Sequence, residues 1–212
     1  MSNTLQDPRD PLFENPTDLQ RIFILRRSYR KYSERPVELE KITAIERSIR
    51  LFKEKMGYSN SDIRIIADDR GFSLVKDAAT KGLIGSINPW LKSTKARCFI
   101  VAVVNDNGVG SISERNRRIA QTSMAMQVAI LRATELGLAT CWMAGINSRE
   151  IERVLGLMEK EEVIAISTLG YPPQSTTITD YDFWANRLVS RRRKPLSEIV
   201  LNEESGYDLG HR

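Results

Sequence analysis

The pattern of apolar and polar positions divides the chain into several helices and strands. Between residues 37 and 56 apolar side chains recur at every third or fourth position, and the stretch ends near Gly57, which is typical of a helix. Shorter runs of consecutive apolar residues are typical of buried strands. The pattern predicts helices at 17–26, 37–56, 73–81, 111–136 and 147–155, and strands at 63–67, 98–104, 139–143 and 163–169. Because helices and strands are interspersed, we expect an α+β fold with a central sheet.

Residues that cap helices stand at the predicted helix starts. A hydroxyl or amide side chain followed three residues later by Glu or Gln forms a capping box, in which each side chain accepts a hydrogen bond from the other residue's N–H. Such pairs are Thr17 with Gln20, Ser111 with Glu114, and Asn147 with Glu150. For the helix at 73–81, Ser73 is the predicted N-cap.

The helix predicted at 111–136 is apolar on nearly every side between Met124 and Leu131, which indicates that protein surrounds it. Ala125, Ala129 and Ala133 recur at four-residue spacing and leave a smooth strip that another helix could approach closely. Two explanations remain open, burial within one subunit or an interface between two. We expect a homodimer.

Length and composition favour one domain. The chain has 212 residues, 41% of them hydrophobic, and carries no repeat or Gly/Ser-rich linker, so we expect a single domain over residues 1–212. Residues 1–16 are predicted to be an extended arm and residues 201–212 a polar tail. The apolar runs are far shorter than the ~20 residues that span a bilayer, and the N-terminus does not resemble a signal peptide. We therefore expect a cytoplasmic protein with no membrane partner.

The cysteines and the histidine exclude several kinds of site. Cys98 and Cys141 have no partners at metal-ligand spacing, and the single histidine, His211, is the penultimate residue. These positions argue against a zinc site, a disulfide framework and Ser-His-Asp or Cys-His catalysis. We expect no metal site and name no catalytic residue. The net charge of +5 favours an anionic ligand without requiring nucleic acid.

Two arginine-rich segments are candidates for binding such a ligand. Residues 26–30 read Arg-Arg-Ser-Tyr-Arg, and residues 191–196 read Arg-Arg-Arg-Lys-Pro-Leu. Guanidinium groups donate paired hydrogen bonds that match the oxygens of a phosphate. Taken alone, the first segment could equally complement a helix dipole, and the second could be a nucleic-acid or localisation patch.

The order of these segments along the chain resembles the nitroreductase family. Arg-Arg-Ser-x-Arg near the N-terminus resembles the family's opening motif, and residues 131–142 resemble the end of its long helix and the approach to its flavin-side loop. Residues 163–172 resemble its last core strand, and Arg-x-Arg-x-Pro-Leu at 191–196 resembles its C-terminal phosphate-binding motif. The resemblance implies a central mixed or antiparallel sheet flanked by helices, a long buried central helix and a homodimer.

The resemblance also implies a bound FMN. One group of residues would bind the FMN phosphate or the polar edge of the flavin, and the backbone of another would lie beside the isoalloxazine ring. The first group is Arg26, Arg27, Ser28 and Arg30, completed by Arg191 and Arg193, and the second is Met143, Ala144 and Gly145. Gly145 permits close approach of a ring, but it could equally be an ordinary loop glycine.

The implied reaction places the chemistry on the cofactor. NAD(P)H would deliver hydride to flavin N5 and leave, and a small nitroaromatic or quinone-like acceptor would then take the electrons in a ping-pong cycle. An alternative keeps the fold and FMN but changes the chemistry to dehalogenation, oxidation of peptide-derived rings or flavin breakdown. A second alternative is a non-enzymatic protein that binds phosphate or nucleic acid through its basic segments. That role does not account for the apolar long helix.

Residues 57–97 depart from the family pattern. Many members carry an Asn-x-Gln-Pro-Trp-like segment before the first strand, whereas only Asn60 stands at that place here. The Asn88-Pro89-Trp90 sequence precedes the second strand and is not equated with that motif. The chain therefore resembles a divergent branch of the family, and the flavin ring-edge and acceptor contacts within residues 57–97 are not assigned from the sequence.

Overall fold

The computed structural model describes residues 17–58, 61–106 and 110–173 of the chain. The predicted arm at 1–16 and tail at 201–212 lie outside these residues. Arg191 and Arg193, the C-terminal half of the predicted phosphate site, lie outside them as well, and their role stays a prediction.

The described residues form one antiparallel sheet with helices on both faces, which confirms the predicted α+β fold. The order of the four strands across the sheet is β1-β2-β4-β3, so β2 and β4 are central and β1 and β3 are the edges. The strands are β1 (Ser61–Ile66), β2 (Cys98–Asn105), β3 (Ala139–Met143) and β4 (Glu161–Gly170). The helices are α1 (Asp18–Leu25), α2 (Leu39–Met56), α3 (Asp69–Ala79), α4 (Gly82–Gly85), α5 (Ile112–Glu135) and α6 (Ser148–Val154), and Pro89–Ser93 is a 3₁₀ helix.

The two faces of β2 explain its uninterrupted apolar sequence. Successive side chains of a strand point to opposite faces, so a strand covered by helices on both sides needs apolar residues throughout. One face packs toward α2 and α5 through Cys98, Ile100 and Ala102, and the other packs toward α3 and α6 through Phe99, Val101 and Val103. The core therefore has two layers, one on each side of the sheet.

Several predicted helix ends are confirmed. The predicted N-caps Ser111 of α5 and Asn147 of α6 accept hydrogen bonds from the N–H groups three residues later. The side chains and backbone N–H groups of Thr17 and Gln20 exchange hydrogen bonds, which form the capping box at the start of α1. Gly57 ends α2 with a φ of 67°, a left-handed conformation that glycine adopts without steric cost.

The predicted start of α3 is wrong. The helix begins at Asp69 rather than at Ser73, because Asp68 is its N-cap and accepts a hydrogen bond of 2.7 Å from the N–H of Gly71. A Cβ atom at position 71 would lie 2.6 Å from Oδ2 of Asp68 and 2.8 Å from Cγ2 of Ile66. Glycine at this position therefore makes the cap possible.

The alanine strip of α5 packs within a single chain. Ala125, Ala129 and Ala133 are fully buried, and the latter two pack in one cluster with isoleucines of α2. The strip thus gives no support to a dimer, which stays a prediction. Within the apolar stretch of α5, Met126 and Ile130 are fully buried, whereas Met124 is 42% exposed in the single chain.

Candidate functional site

The first arginine-rich segment, residues 26–30, lies along the edge of β3. Arg26 ends α1, with its N–H donating to the carbonyl of Ile22. The chain then extends, and Ser28 forms a parallel bridge with Thr140 of β3. The N–H of Tyr29 donates to the carbonyl oxygen of Thr140 at 2.9 Å. The segment is therefore held to the sheet through its backbone.

Strand β3 connects two predicted parts of the site. β3 runs from Ala139, next to the bridge, to Met143, where the predicted flavin-side loop begins. After the arginine segment the chain packs at the start of β3, since Tyr32 packs against Ala139. Residues 26–30 and 143–145 are distant in sequence, yet β3 connects them directly. The fold thus attaches the first arginine-rich segment to the strand that ends at the predicted flavin-side loop.

Tyr32, which the sequence did not single out, connects the arginine segment to the sheet. It is 4% exposed and packs against Ala96 and Ala139. Its hydroxyl donates to the carbonyl oxygen of Tyr29 at 2.7 Å and lies 2.5 Å from Oγ1 of Thr168 on β4. Burial raises the pKa of Tyr32 well above its ordinary value, so the side chain remains a neutral donor.

The side chains of the arginine segment differ in exposure. Arg27 is exposed, whereas Arg26, Ser28 and Arg30 are half-buried. The Nε atom of Arg26 is buried without a hydrogen-bond partner among residues 17–58, 61–106 and 110–173. A buried guanidinium nitrogen without a partner is costly, and an anion bound beside it would remove that cost.

At the end of β3, only part of the predicted flavin-side loop can face a ligand with its side chains. The Met143 side chain is 5% exposed and belongs to the core beneath α3 and α6, so only its backbone is available. Ala144 is exposed, and the N–H of Ile146 donates to the Ala144 carbonyl at 3.0 Å, which closes a tight turn around Gly145.

Asn88 contacts this turn from the segment that the sequence left unassigned. Its side-chain N–H₂ donates to the carbonyl oxygen of Gly145 at 2.8 Å, and its side-chain oxygen accepts from Nε1 of Trp90 at 3.4 Å. The Asn-Pro-Trp motif is evident in the sequence, but its contact with Gly145 is evident only in the fold.

A polar cluster at the end of β4 holds the chain that leaves the arginine segment. The hydroxyl of Tyr171 donates to Oε2 of Glu38 at 2.5 Å, and the guanidinium of Arg35 lies 4.0 Å from the centre of the Tyr171 ring. The carbonyl of Tyr171 accepts a hydrogen bond from the N–H of Ser33. The Tyr171 hydroxyl is the main cause that lowers the pKa of Glu38 to about 2.

A groove on the described surface lies elsewhere. It has a volume of about 460 Å³ and follows α2, with Leu39, Arg47, Leu51 and Arg132 among its lining residues. None of the predicted site residues lines it. Within the described ranges, no His, Cys, Asp and Glu side chains form a group that could hold a metal ion, and no helix is long and apolar enough to span a bilayer.

Comparison with known proteins shows what this chain resembles. The model of the nitroreductase family matches residues 87–171, which contain Asn88, β3, the Gly145 turn and β4. No curated protein sequence matches the chain. The family match therefore covers three of the four strands, β2, β3 and β4, and does not include the arginine segment.

Solved structures extend the comparison to most of the chain. An FMN-dependent nitroreductase from Clostridium difficile is 26% identical, with a TM-score of 0.57 over 74% of this chain and 90% of that one. A putative NADH dehydrogenase/NAD(P)H nitroreductase from Bacteroides thetaiotaomicron is 17% identical, with a TM-score of 0.64 over 89% and 99% of the two chains. A nitroreductase family protein from Clostridium difficile 630 is 24% identical, with a TM-score of 0.62 over 86% and 96%. The resemblance predicted from the sequence is thus confirmed.

Proposed function

We propose that this chain, which matches the nitroreductase family over residues 87–171 and shares the fold of solved nitroreductases, is an FMN-dependent oxidoreductase. One observation carries the proposal. The bridge between Ser28 and Thr140 lays the arginine segment along β3, the strand that leads to the Gly145 turn. An anionic group and an adjoining planar ring could therefore be bound along one edge of the sheet.

The residues at this edge fit FMN. The phosphate would be bound by Arg26, Arg27, Ser28 and Arg30, and the buried Nε of Arg26 offers a donor that has no other partner in the described part of the chain. Arg191 and Arg193 would complete the phosphate site. The backbone at Met143, Ala144 and Gly145 would contact the flavin ring, since Ala144 is exposed and the turn around Gly145 is tight.

Bound FMN would supply the electron transfer, taking hydride from NAD(P)H and passing electrons to a small nitroaromatic or quinone-like acceptor in a ping-pong cycle. Because FMN would carry the electrons, this reaction requires no acid or base from the protein. The chain's own residues bind the phosphate, orient the ring and shape its surroundings. A homodimer in the cytoplasm, without nucleic acid or membrane as a partner, completes the proposal.

A visible spectrum tests the proposal directly. The purified protein should be yellow, alone or after FMN is added, and the colour should bleach when NADH or NADPH is added without oxygen. A colourless protein with no affinity for FMN would contradict the proposal and favour a phosphate- or nucleic-acid-binding role. Bound flavin that NAD(P)H does not reduce would instead favour another redox chemistry on the same fold, such as dehalogenation, ring oxidation or flavin breakdown.

The phosphate site has its own test. Replacing Arg27 and Arg193 together with alanine should abolish retention of FMN through gel filtration, because two charge-assisted contacts are lost. The matched control replaces Arg47 and Arg50, two exposed arginines of α2, and removes the same charge away from the site. Equal retention of FMN by both double variants would contradict the assignment.

A further inference from the structure

Asn88 uses its side chain in an unusual way for its position. It precedes the 3₁₀ helix, where an asparagine commonly caps the helix with its side chain, but here the side chain makes no capping hydrogen bond. Its amide is instead directed across the chain to the carbonyl oxygen of Gly145. The neighbouring Ile87 side chain lies against Gly145 as well, 3.6 Å from where a Cβ of residue 145 would be.

Trp90 connects this amide to the other half of the site. Its indole N–H donates to the side-chain oxygen of Asn88. Its ring packs against the buried cluster of Tyr32, Ala96 and Ala139, the cluster from which Tyr32 holds the arginine segment. A continuous set of contacts therefore runs from the arginine segment through Trp90 and Asn88 to the Gly145 turn.

We propose that Asn88 is a positioning residue that fixes the Gly145 turn relative to the arginine segment. The phosphate and the ring of FMN are then bound in one geometry. The proposal rests on the FMN-binding function proposed above. Asn88 acts through Gly145 and Trp90 and does not itself react. The segment before β2, which the sequence left unassigned, would thus support the ring side of the site.

The amide is suited to this task because it donates and accepts at once. Its nitrogen donates to Gly145 while its oxygen accepts from Trp90. Aspartate at position 88 would keep the shape and the acceptor but lose the donor, and its charge would oppose the Gly145 carbonyl. Alanine would remove both contacts without adding charge.

Hydrogen exchange of the full-length protein, with and without FMN, tests the support of the turn independently of activity. In N88D and N88A, amides of residues 144–147 should exchange about five-fold faster, as expected when one hydrogen bond is lost. The control S86A changes a residue two positions before Asn88 and removes the hydrogen bond from its hydroxyl to the Leu83 carbonyl. It should leave the exchange rates of residues 144–147 unchanged. Unchanged exchange in both Asn88 variants, in a protein that remains folded, would overturn the proposal.

Bound flavin gives the second readout. At equal FMN occupancy, N88D and N88A should change the visible circular dichroism of the flavin and shift its reduction potential, whereas S86A should not. Faster exchange with an unaltered flavin signal in both variants would overturn the positioning role. A wild-type protein that binds no FMN would instead overturn the proposed function, and the exchange data would still show whether Asn88 holds the turn.

Discussion

At the scale of single residues, Tyr32 connects the arginine segment to the centre of the sheet. Replacing Tyr32 with Phe removes the hydroxyl that contacts the Tyr29 carbonyl and the Thr168 hydroxyl, both near the buried core. We expect the free energy of unfolding to fall by about 1–2 kcal/mol. We also expect weaker binding of FMN, measured by titration, because the arginine segment loses an attachment to the sheet.

The matched control is Tyr58→Phe, which removes a tyrosine hydroxyl beyond the end of α2. FMN affinity should not change in this variant.

The proposed role of Tyr32 also predicts a pH dependence. Because burial raises its pKa in the folded state, its contribution to stability is complete below about pH 10 and declines as the pH rises beyond that. Urea unfolding should show a weaker alkaline decline in Tyr32→Phe than in the wild type.

Gly145 offers a second test at this scale. Its φ is not positive, and the nearest atoms to an added Cβ lie 3.6 Å or more away, so the described chain itself does not require glycine. Gly145→Ala should therefore change the free energy of unfolding by less than about 1 kcal/mol. If a flavin ring lies against this turn, the added methyl group should nevertheless weaken FMN binding. Unchanged FMN affinity would favour the interpretation of Gly145 as an ordinary loop residue.

At the scale of elements, Glu38 joins the start of α2 to the end of β4 through Tyr171. Its pKa is lowered to about 2 in the folded protein, chiefly by the Tyr171 hydroxyl, so its stabilising contribution is present above the ordinary value of about 4.3. That contribution is lost as the pH falls from about 5 toward 2. Thermal unfolding between these pH values should show a smaller loss of Tm in Glu38→Gln than in the wild type.

The comparison for this prediction is Glu40→Gln, which changes an exposed glutamate of the same helix turn. Its acid-induced loss of Tm should follow the wild type. If Glu38→Gln and Glu40→Gln both behave like the wild type, the contact between Glu38 and Tyr171 does not contribute to the stability of the joint between α2 and β4.

The elements also show what a sequence can and cannot predict. The strand at 98–104 and the capping box at Thr17 were predictable, because each depends on residues adjacent in sequence. The start of α3 was not, since the choice between Asp68 and Ser73 depends on the space beside Ile66. The hydrophobic pattern also could not predict contacts between distant parts of the chain, because they too depend on the three-dimensional arrangement.

In the candidate site, too, some features were predictable from adjacent residues and others depend on the fold. Its arginines were evident from the charge and spacing of residues 26–30. The contact of Asn88 with Gly145 joins residues far apart in the chain, and periodicity carries no information about such a pair. The buried alanines of α5 illustrate the limit from another side, because a smooth strip does not reveal whether its neighbour belongs to the same chain.

At the scale of the whole molecule, we expect a homodimer. Light scattering should give twice the 24.1 kDa of one chain. Leu19, Phe23 and Leu25 of α1 are exposed and lie on a helix that packs near α5, so α1 is the surface we expect a second copy to cover. Phe23→Ser should shift the equilibrium toward the monomer.

The control for that variant is Leu83→Ser, which changes an exposed apolar residue of α4. It should leave the measured mass unchanged. A wild-type mass of one chain would reject the dimer.

The position of the arginine segment has a consequence for solubility. The edge strand β3 would otherwise offer unpaired N–H and C=O groups to another chain, whereas the opposite edge, β1, carries the charged residues Asp62 and Arg64. The bridge from Ser28 occupies part of the β3 edge. Any change that detaches this segment therefore opens a template for intermolecular β-pairing. The segment proposed to bind the cofactor thus also covers part of a sheet edge at which another chain could pair.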